Sequence, residues 1–217
     1  MSTATNDRRS RFLMSSLLVL MLLMPFLEDH RTGEVFLRIS VFVTLISAIL
    51  KLQGRGTLRW LAIGAAIPVV LVELTSIFYP WHSLLISDYA LLVAFFGFAS
   101  LGLLADLDKP RAVTRGHIYE SVSLYLMLAV FWFALFNLTE VLHPGSFALD
   151  GALGRVSRSG FLYFSLITLT TVGYGDIVPV TATGRVFAAL EGAAGVFYVA
   201  ITVARLVAAY QRTESER

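Results

Sequence analysis

The sequence predicts an all-α integral membrane protein with six transmembrane helices and, between the fifth and sixth, a short re-entrant helix followed by a glycine-bearing loop. Three observations carry this. Of the 217 residues, 57% are hydrophobic and 15% charged, and the mean hydropathy is +0.75, which leaves too little polar surface to cover a water-soluble globule. Six apolar runs are separated by short links rich in charge, glycine or proline. The stretch 168–176, TLTTVGYGD, ends a short apolar segment that lies between two of the long runs. The chain has no cysteine, which excludes disulfides and thiolate metal sites. Its histidines, at 30, 82, 117 and 143, lack metal-ligand spacing, and no nucleophile triad or nucleotide-binding glycine motif is present, so no cofactor, catalysis or nucleic-acid partner is expected.

Residues 1–11 are polar, carry Arg8, Arg9 and Arg11, and read as a tail. The first apolar run, 12–27, is about 24 Å long as a helix, slightly short for the hydrocarbon core, so it extends into flanking residues or sits where the bilayer thins. RRSRFLM loosely resembles a twin-arginine leader, but no small-x-small cleavage site follows. An acidic turn leads to the second run, 35–52, broken only by Arg38 and Lys51. The third, 60–79, contains Pro68, which neighbouring helices can accommodate, and Tyr79-Pro80-Trp81-His82 makes an aromatic interfacial turn. The fourth is 84–104. These four form one domain, 12–105, and a charged linker, 106–117, follows. The remainder, 118–210, holds the fifth run (118–142, with Glu120 and Glu140 near its ends), an exposed loop at 143–160, the short helix 161–170, and the sixth run from 184. A short tail, 211–217, ends the chain.

In 171–175, glycine alternates with Val172 and Tyr174. Gly173 and Gly175 tolerate positive φ, which lets successive carbonyls turn to one side. Thr171 adds a hydroxyl, and Val172 and Tyr174 then point away from the carbonyl row and pack against the surrounding helix.

Lysine and arginine counts set the orientation. The amino-terminal tail, the 51–59 link and the 106–116 link carry three each, and Arg212 and Arg217 bring that side to eleven; Arg31, Arg155, Arg158 and Arg185 make four on the other. Both termini are therefore expected in the cytoplasm, in a multi-pass protein of a cell membrane.

TTVGYGD resembles the selectivity filter of potassium channels, and the unit 118–210 resembles their pore domain. With four preceding spans, the chain resembles the prokaryotic type of the six-transmembrane, voltage-gated-like superfamily. The resemblance implies a homotetramer with a central pore. It also implies K+ as the permeant ion, coordinated at Thr171, Val172, Gly173, Tyr174 and Gly175, with Thr170 and Asp176 supporting the filter. Some bacterial relatives carry a pore-helix glutamate that pairs with the aspartate after the filter; that position is Ile167 here, so Tyr163 becomes the candidate partner of Asp176. Gly195 aligns with the glycine used as an inner-helix hinge, and Gly192 and Gly195 also fit close small-residue packing. Glu191 either faces the cavity or sits behind the filter, bonded to the pore helix, where hydroxyl and backbone partners are at hand. The fourth run departs most: relatives carry arginines there at every third position, whereas no Lys or Arg occurs between His82 and Lys109. An arginine voltage sensor is not expected. Arg38, Glu73 and Asp88 form a static charge cluster or snorkel to the headgroups. The tails are too short for a cytosolic ligand-binding domain, so the expected partners are other copies of the chain and membrane lipids. A weakly selective cation channel and a transporter subunit or non-conducting scaffold are the rival readings, which the intact tyrosine and the single complete filter disfavour.

Overall fold

A computed structural model describes residues 3–27, 31–51, 56–78, 82–107, 115–149 and 156–215. The chain runs through α1 (Thr3–Leu27), α2 (Arg31–Lys51), α3 (Gly56–Phe78), α4 (His82–Leu107), α5 (Arg115–Leu142), β1 (Phe147–Leu149), α6 (Arg158–Leu169), β2 (Ile177–Pro179) and α7 (Ala182–Ser215). In hydrocarbon every backbone polar group needs an internal partner, so long apolar segments become helices. Among the described residues, α1, α4, α5 and α7 are long and apolar enough to cross a membrane, and α3 holds a shorter apolar stretch, Ala62–Val72. Helix α3 continues through Pro68, as the sequence suggested.

Residues 3–11, read as a polar tail, are not separate from α1 but form its first turns; at 25 residues the helix reaches about 37 Å, so the short 12–27 run extends into its flanking residues. The reason is a polar contact: fully buried Ser10 accepts a hydrogen bond from Lys51 Nζ at 2.7 Å, and Lys51 pairs with Glu120 Oε2 at 3.1 Å. Both charged side chains are at most 3% exposed, so the pair joins α1, α2 and α5 away from water. Nor is the loop after α5 wholly exposed. Glu140 accepts backbone N–H bonds from Gly145, Ser146 and Phe147 at 2.8, 2.9 and 3.2 Å, turning the chain into β1. β1 pairs antiparallel with β2, Ala148 opposite Val178. Phe147 is buried among Phe136, Phe161 and Phe164, with ring centroids 5.0 to 5.6 Å apart.

Helix α5 is the helix on which most of the others pack. It packs on α1, α4, α6 and α7, and 61% of its span is buried, against 11% for α7. The uncovered side of α7 is itself apolar, with Leu190, Phe197, Ile201 and Val203 exposed.

Candidate functional site

The glycine-bearing loop is aimed by α6. Ser157 caps that helix by accepting the Gly160 N–H at 3.0 Å, and Phe161, Leu162, Phe164 and Leu169 bury one side of it. Thr170 ends the helix with its hydroxyl donated back to the Leu166 carbonyl at 2.6 Å.

The following amides are then fastened to the helix end. Thr171 N–H donates to the Thr168 carbonyl at 2.9 Å, and Val172 and Gly173 N–H both donate to the Ile167 carbonyl, at 2.8 and 3.1 Å. In a trans peptide the C=O points opposite to the N–H. The Thr171 and Val172 carbonyls are therefore turned away from α6, to the side where residues 170–175 are all exposed. Positive φ recurs at every second residue: 60° at Thr171, 53° at Gly173 and 84° at Gly175. Glycine made the last two legible. Thr171 was not foreseen, since a β-branched residue in the left-handed region is strained and persists only where its surroundings impose it. The i, i+2, i+4 spacing of the alternation was the available signal.

Tyr174 stacks nearly parallel on Tyr163, with centroids 6.5 Å apart, yet remains 73% exposed. Val172 is 53% exposed, so the packing expected for both is only begun within the chain. Tyr163 lies within reach of the Asp176 carboxylate, the partner suggested for it in a chain with isoleucine at 167.

Behind the loop, α7 is fitted closely to α6. Glu191 is fully buried, with Oε1 2.6 Å from Ser165 Oγ, whose single proton is shared between that carboxyl and the Ala129 carbonyl at 2.9 Å. The carboxyl thus faces α6 and ties α5, α6 and α7 together. Ser165 was missed; a lone hydroxyl in the apolar run FLYFSLITL was the clue. The Tyr125 hydroxyl holds the Leu169 carbonyl at 3.1 Å. Gly195 lies against that same carbonyl: a Cβ on it would come within 2.9 Å of the Leu169 carbonyl carbon and closer still to its oxygen. A Cβ on Gly192 would meet nothing nearer than the Thr168 oxygen at 3.8 Å. The two glycines differ, and close approach accounts for Gly195 alone. Lower on α7, Tyr198 donates to the Ser121 carbonyl of α5 at 2.5 Å.

Of the three residues suggested as a charge cluster, Asp88 is buried at 4% exposure and Arg38 is half-buried, while the side chain of Glu73 lies outside the described residues. Arg158, read from sequence only as a loop charge, has its guanidinium 5.6 Å above the ring of Tyr89, next to Asp88. Lys51 and Glu120, read from sequence only as residues near span ends, form a fully enclosed ion pair. Among the described residues no group of three or more His, Cys, Asp or Glu side chains forms a metal site.

Residues 121–212 match the ion channel family, which is not a family of enzymes. The chain is 31% identical over 149 residues to the voltage-gated potassium channel Kch of Escherichia coli K12, a match covering 69% of this chain and 32% of Kch. It is 36% identical over 86 residues to the A-type voltage-gated potassium channel KCND3 of rat and of human, covering 37% of this chain and 13% of theirs. The chain thus spans a third or less of the length of these relatives. No solved structure matches.

Proposed function

Because this chain belongs by its residues 121–212 to the potassium-channel superfamily, we propose that it conducts potassium passively across a cell membrane through the loop Thr171–Gly175. The observation that carries the reading is the alternation of positive φ at 171, 173 and 175, with the amides of Thr171, Val172 and Gly173 pinned to Thr168 and Ile167. Carbonyls turned to one side replace the hydration shell of a dehydrated cation. One protomer supplies one such row. Four copies around a central axis complete the cage, and the exposed Val172, Tyr174 and apolar side of α7 are the surfaces they cover. Asp176 stands at the outer mouth, beside Tyr163, and both termini are cytoplasmic.

In this reading α2 and α3 cross the membrane with α1 and α4, completing six spans. Opening does not run through arginines on α4, because that helix contains no Lys or Arg from His82 to Leu107. Each charge moved through the field is worth ~2.3 kcal/mol per 100 mV, and α4 has no arginine or lysine to carry that charge.

The test is recording from purified protein in planar bilayers, with potassium on one side and sodium on the other, over a range of voltages. A reversal potential at the potassium equilibrium value and a shallow voltage dependence are expected. Reversal near zero would place the chain among weakly selective cation channels. An open probability rising with several gating charges per subunit would overturn the account of α4. Silence from folded tetramers would favour the scaffold reading.

A further inference from the structure

Ser165 has one proton and two acceptors. Its hydroxyl oxygen lies 2.6 Å from Glu191 Oε1 and 2.9 Å from the Ala129 carbonyl oxygen, and both contacts have the length of an O–H···O hydrogen bond. A hydroxyl carries a single hydrogen, and a carbonyl has none to give. Sharing that hydrogen satisfies neither acceptor in full. Were Glu191 ionised, one of the two contacts would always set lone pair against lone pair at hydrogen-bond distance. A proton on the carboxyl removes the conflict, because Glu191 then donates to Ser165 and Ser165 donates to Ala129.

The surroundings point the same way. Glu191 and Ser165 are both fully buried, and Glu191 Oε2 has no hydrogen-bond partner among the described residues. Nor does any cationic side chain among them pair with this carboxyl. The ionisable group that faces it from α5 is Tyr125, whose hydroxyl is committed to the Leu169 carbonyl, and Arg185 on α7 is turned to the Pro179 carbonyl. An ionised carboxylate without a counter-charge is far costlier to hold away from water than a neutral acid.

We propose that Glu191 is a neutral carboxylic acid whose proton directs a hydrogen-bond chain from α7 through α6 to α5, and that it is a positioning residue for the loop. Two successive turns of α7 meet two successive turns of α6: Gly195 lies against the Leu169 backbone, and Glu191 bonds Ser165. The close approach sets how near the helices lie, and the directed bond sets how α6 is rotated. Because α6 ends at Leu169, its rotation is passed directly to Thr171–Gly175. The protonation rests on hydrogen-bond geometry alone, while its effect on flux rests on that loop being the ion path.

The experiment is infrared absorption of the full chain in lipid vesicles at neutral pH, parent minus Glu191→Gln, which separates the carbonyl stretch of a protonated acid from that of a carboxylate. An acid band is expected in the parent and absent from the variant. Ser165→Ala, which removes the acceptor, should move that band to higher frequency, and this assigns it if Glu191→Gln fails to assemble. Potassium flux per assembled protein in the same vesicles reads the positioning. Glu191→Gln, whose amide donates to Ser165 in place of the acid, should keep the parent flux; Glu191→Leu, of similar size, should lower it about five-fold, the equivalent of one hydrogen bond. A carboxylate band in place of the acid would overturn the proposal. So would a Glu191→Leu flux equal to the parent's, or a Glu191→Gln flux as low as that of Glu191→Leu, which would make the charge and not the proton the requirement. A parent with the acid band and no flux would uphold the proton and tell against the conducting loop.

Discussion

Replacing Gly195 by alanine separates two accounts of the paired glycines on α7. If they serve as a hinge, Gly192→Ala and Gly195→Ala stiffen the same helix and impair opening alike. If close approach is the requirement, the two diverge. A Cβ at 195 would sit 2.9 Å from the Leu169 carbonyl carbon and 3.3 Å from its Cα, with the oxygen nearer still. These are backbone atoms, so no side chain can swing away. Relief needs α7 or the end of α6 to shift by roughly an ångström in a close-packed interior. Overpacking of this kind costs ~1–3 kcal/mol, and moving the carbonyl also weakens its bond from Tyr125, another ~1 kcal/mol. Alanine returns up to ~1 kcal/mol of helix propensity, leaving a net loss of about 1–3 kcal/mol. At Gly192 the nearest atom is 3.8 Å from the added methyl, an ordinary contact, so only the propensity gain remains. Thermal dissociation of the assembled protein in detergent reads the stability, and potassium flux from vesicles reads the site. Gly195→Ala should fall in both, because Leu169 immediately precedes the loop; Gly192→Ala should match or exceed the parent in stability and conduct. Equal behaviour of the two variants would refute the close-approach argument.

Other substitutions probe the buried polar ties. Lys51→Met strands Glu120 away from water and should cost about 3–5 kcal/mol by denaturant titration, whereas Lys51→Met with Glu120→Leu should recover most of it. A single variant as mild as the double would show that the pair is hydrated. Ser165→Ala leaves the Glu191 carboxyl without its hydroxyl partner, a loss of ~1–3 kcal/mol, while Ser165→Thr retains the bond; flux decay under sustained potassium gradients should quicken only in the alanine variant. Tyr163→Phe removes the hydroxyl beside Asp176 while preserving the Tyr174 ring stack, so conduction should persist with altered inactivation. No change in the inactivation time course would dismiss that contact as a support.

How much of this was legible from residues alone depends on what each residue type reveals. The loop was the most readable part: glycine at 173 and 175 states a backbone requirement outright, and both have positive φ. The pore helix, read as 161–170, runs Arg158–Leu169, and its missing glutamate at 167 directed attention to Tyr163. The helical runs were legible as apolar segments, but their rotation about their own axes was not. In a soluble protein an apolar stripe marks the inward side of a helix; here nearly every side is apolar, and lipid and protein contacts share one composition. Polar interruptions therefore carry the orientation. Ser10, Lys51, Glu120, Ser165 and Glu191 are each buried where helices meet, and each has its partner on another helix. Taken singly, Lys51 and Glu120 look like residues at span ends that reach for headgroups; they are 69 positions apart, and nothing local announces that they meet. Their shared expected side of the membrane was the clue that could have paired them. Thr171 illustrates the opposite limit, for its side chain argues against the backbone it adopts, and only the alternation around it explains why the strain is kept.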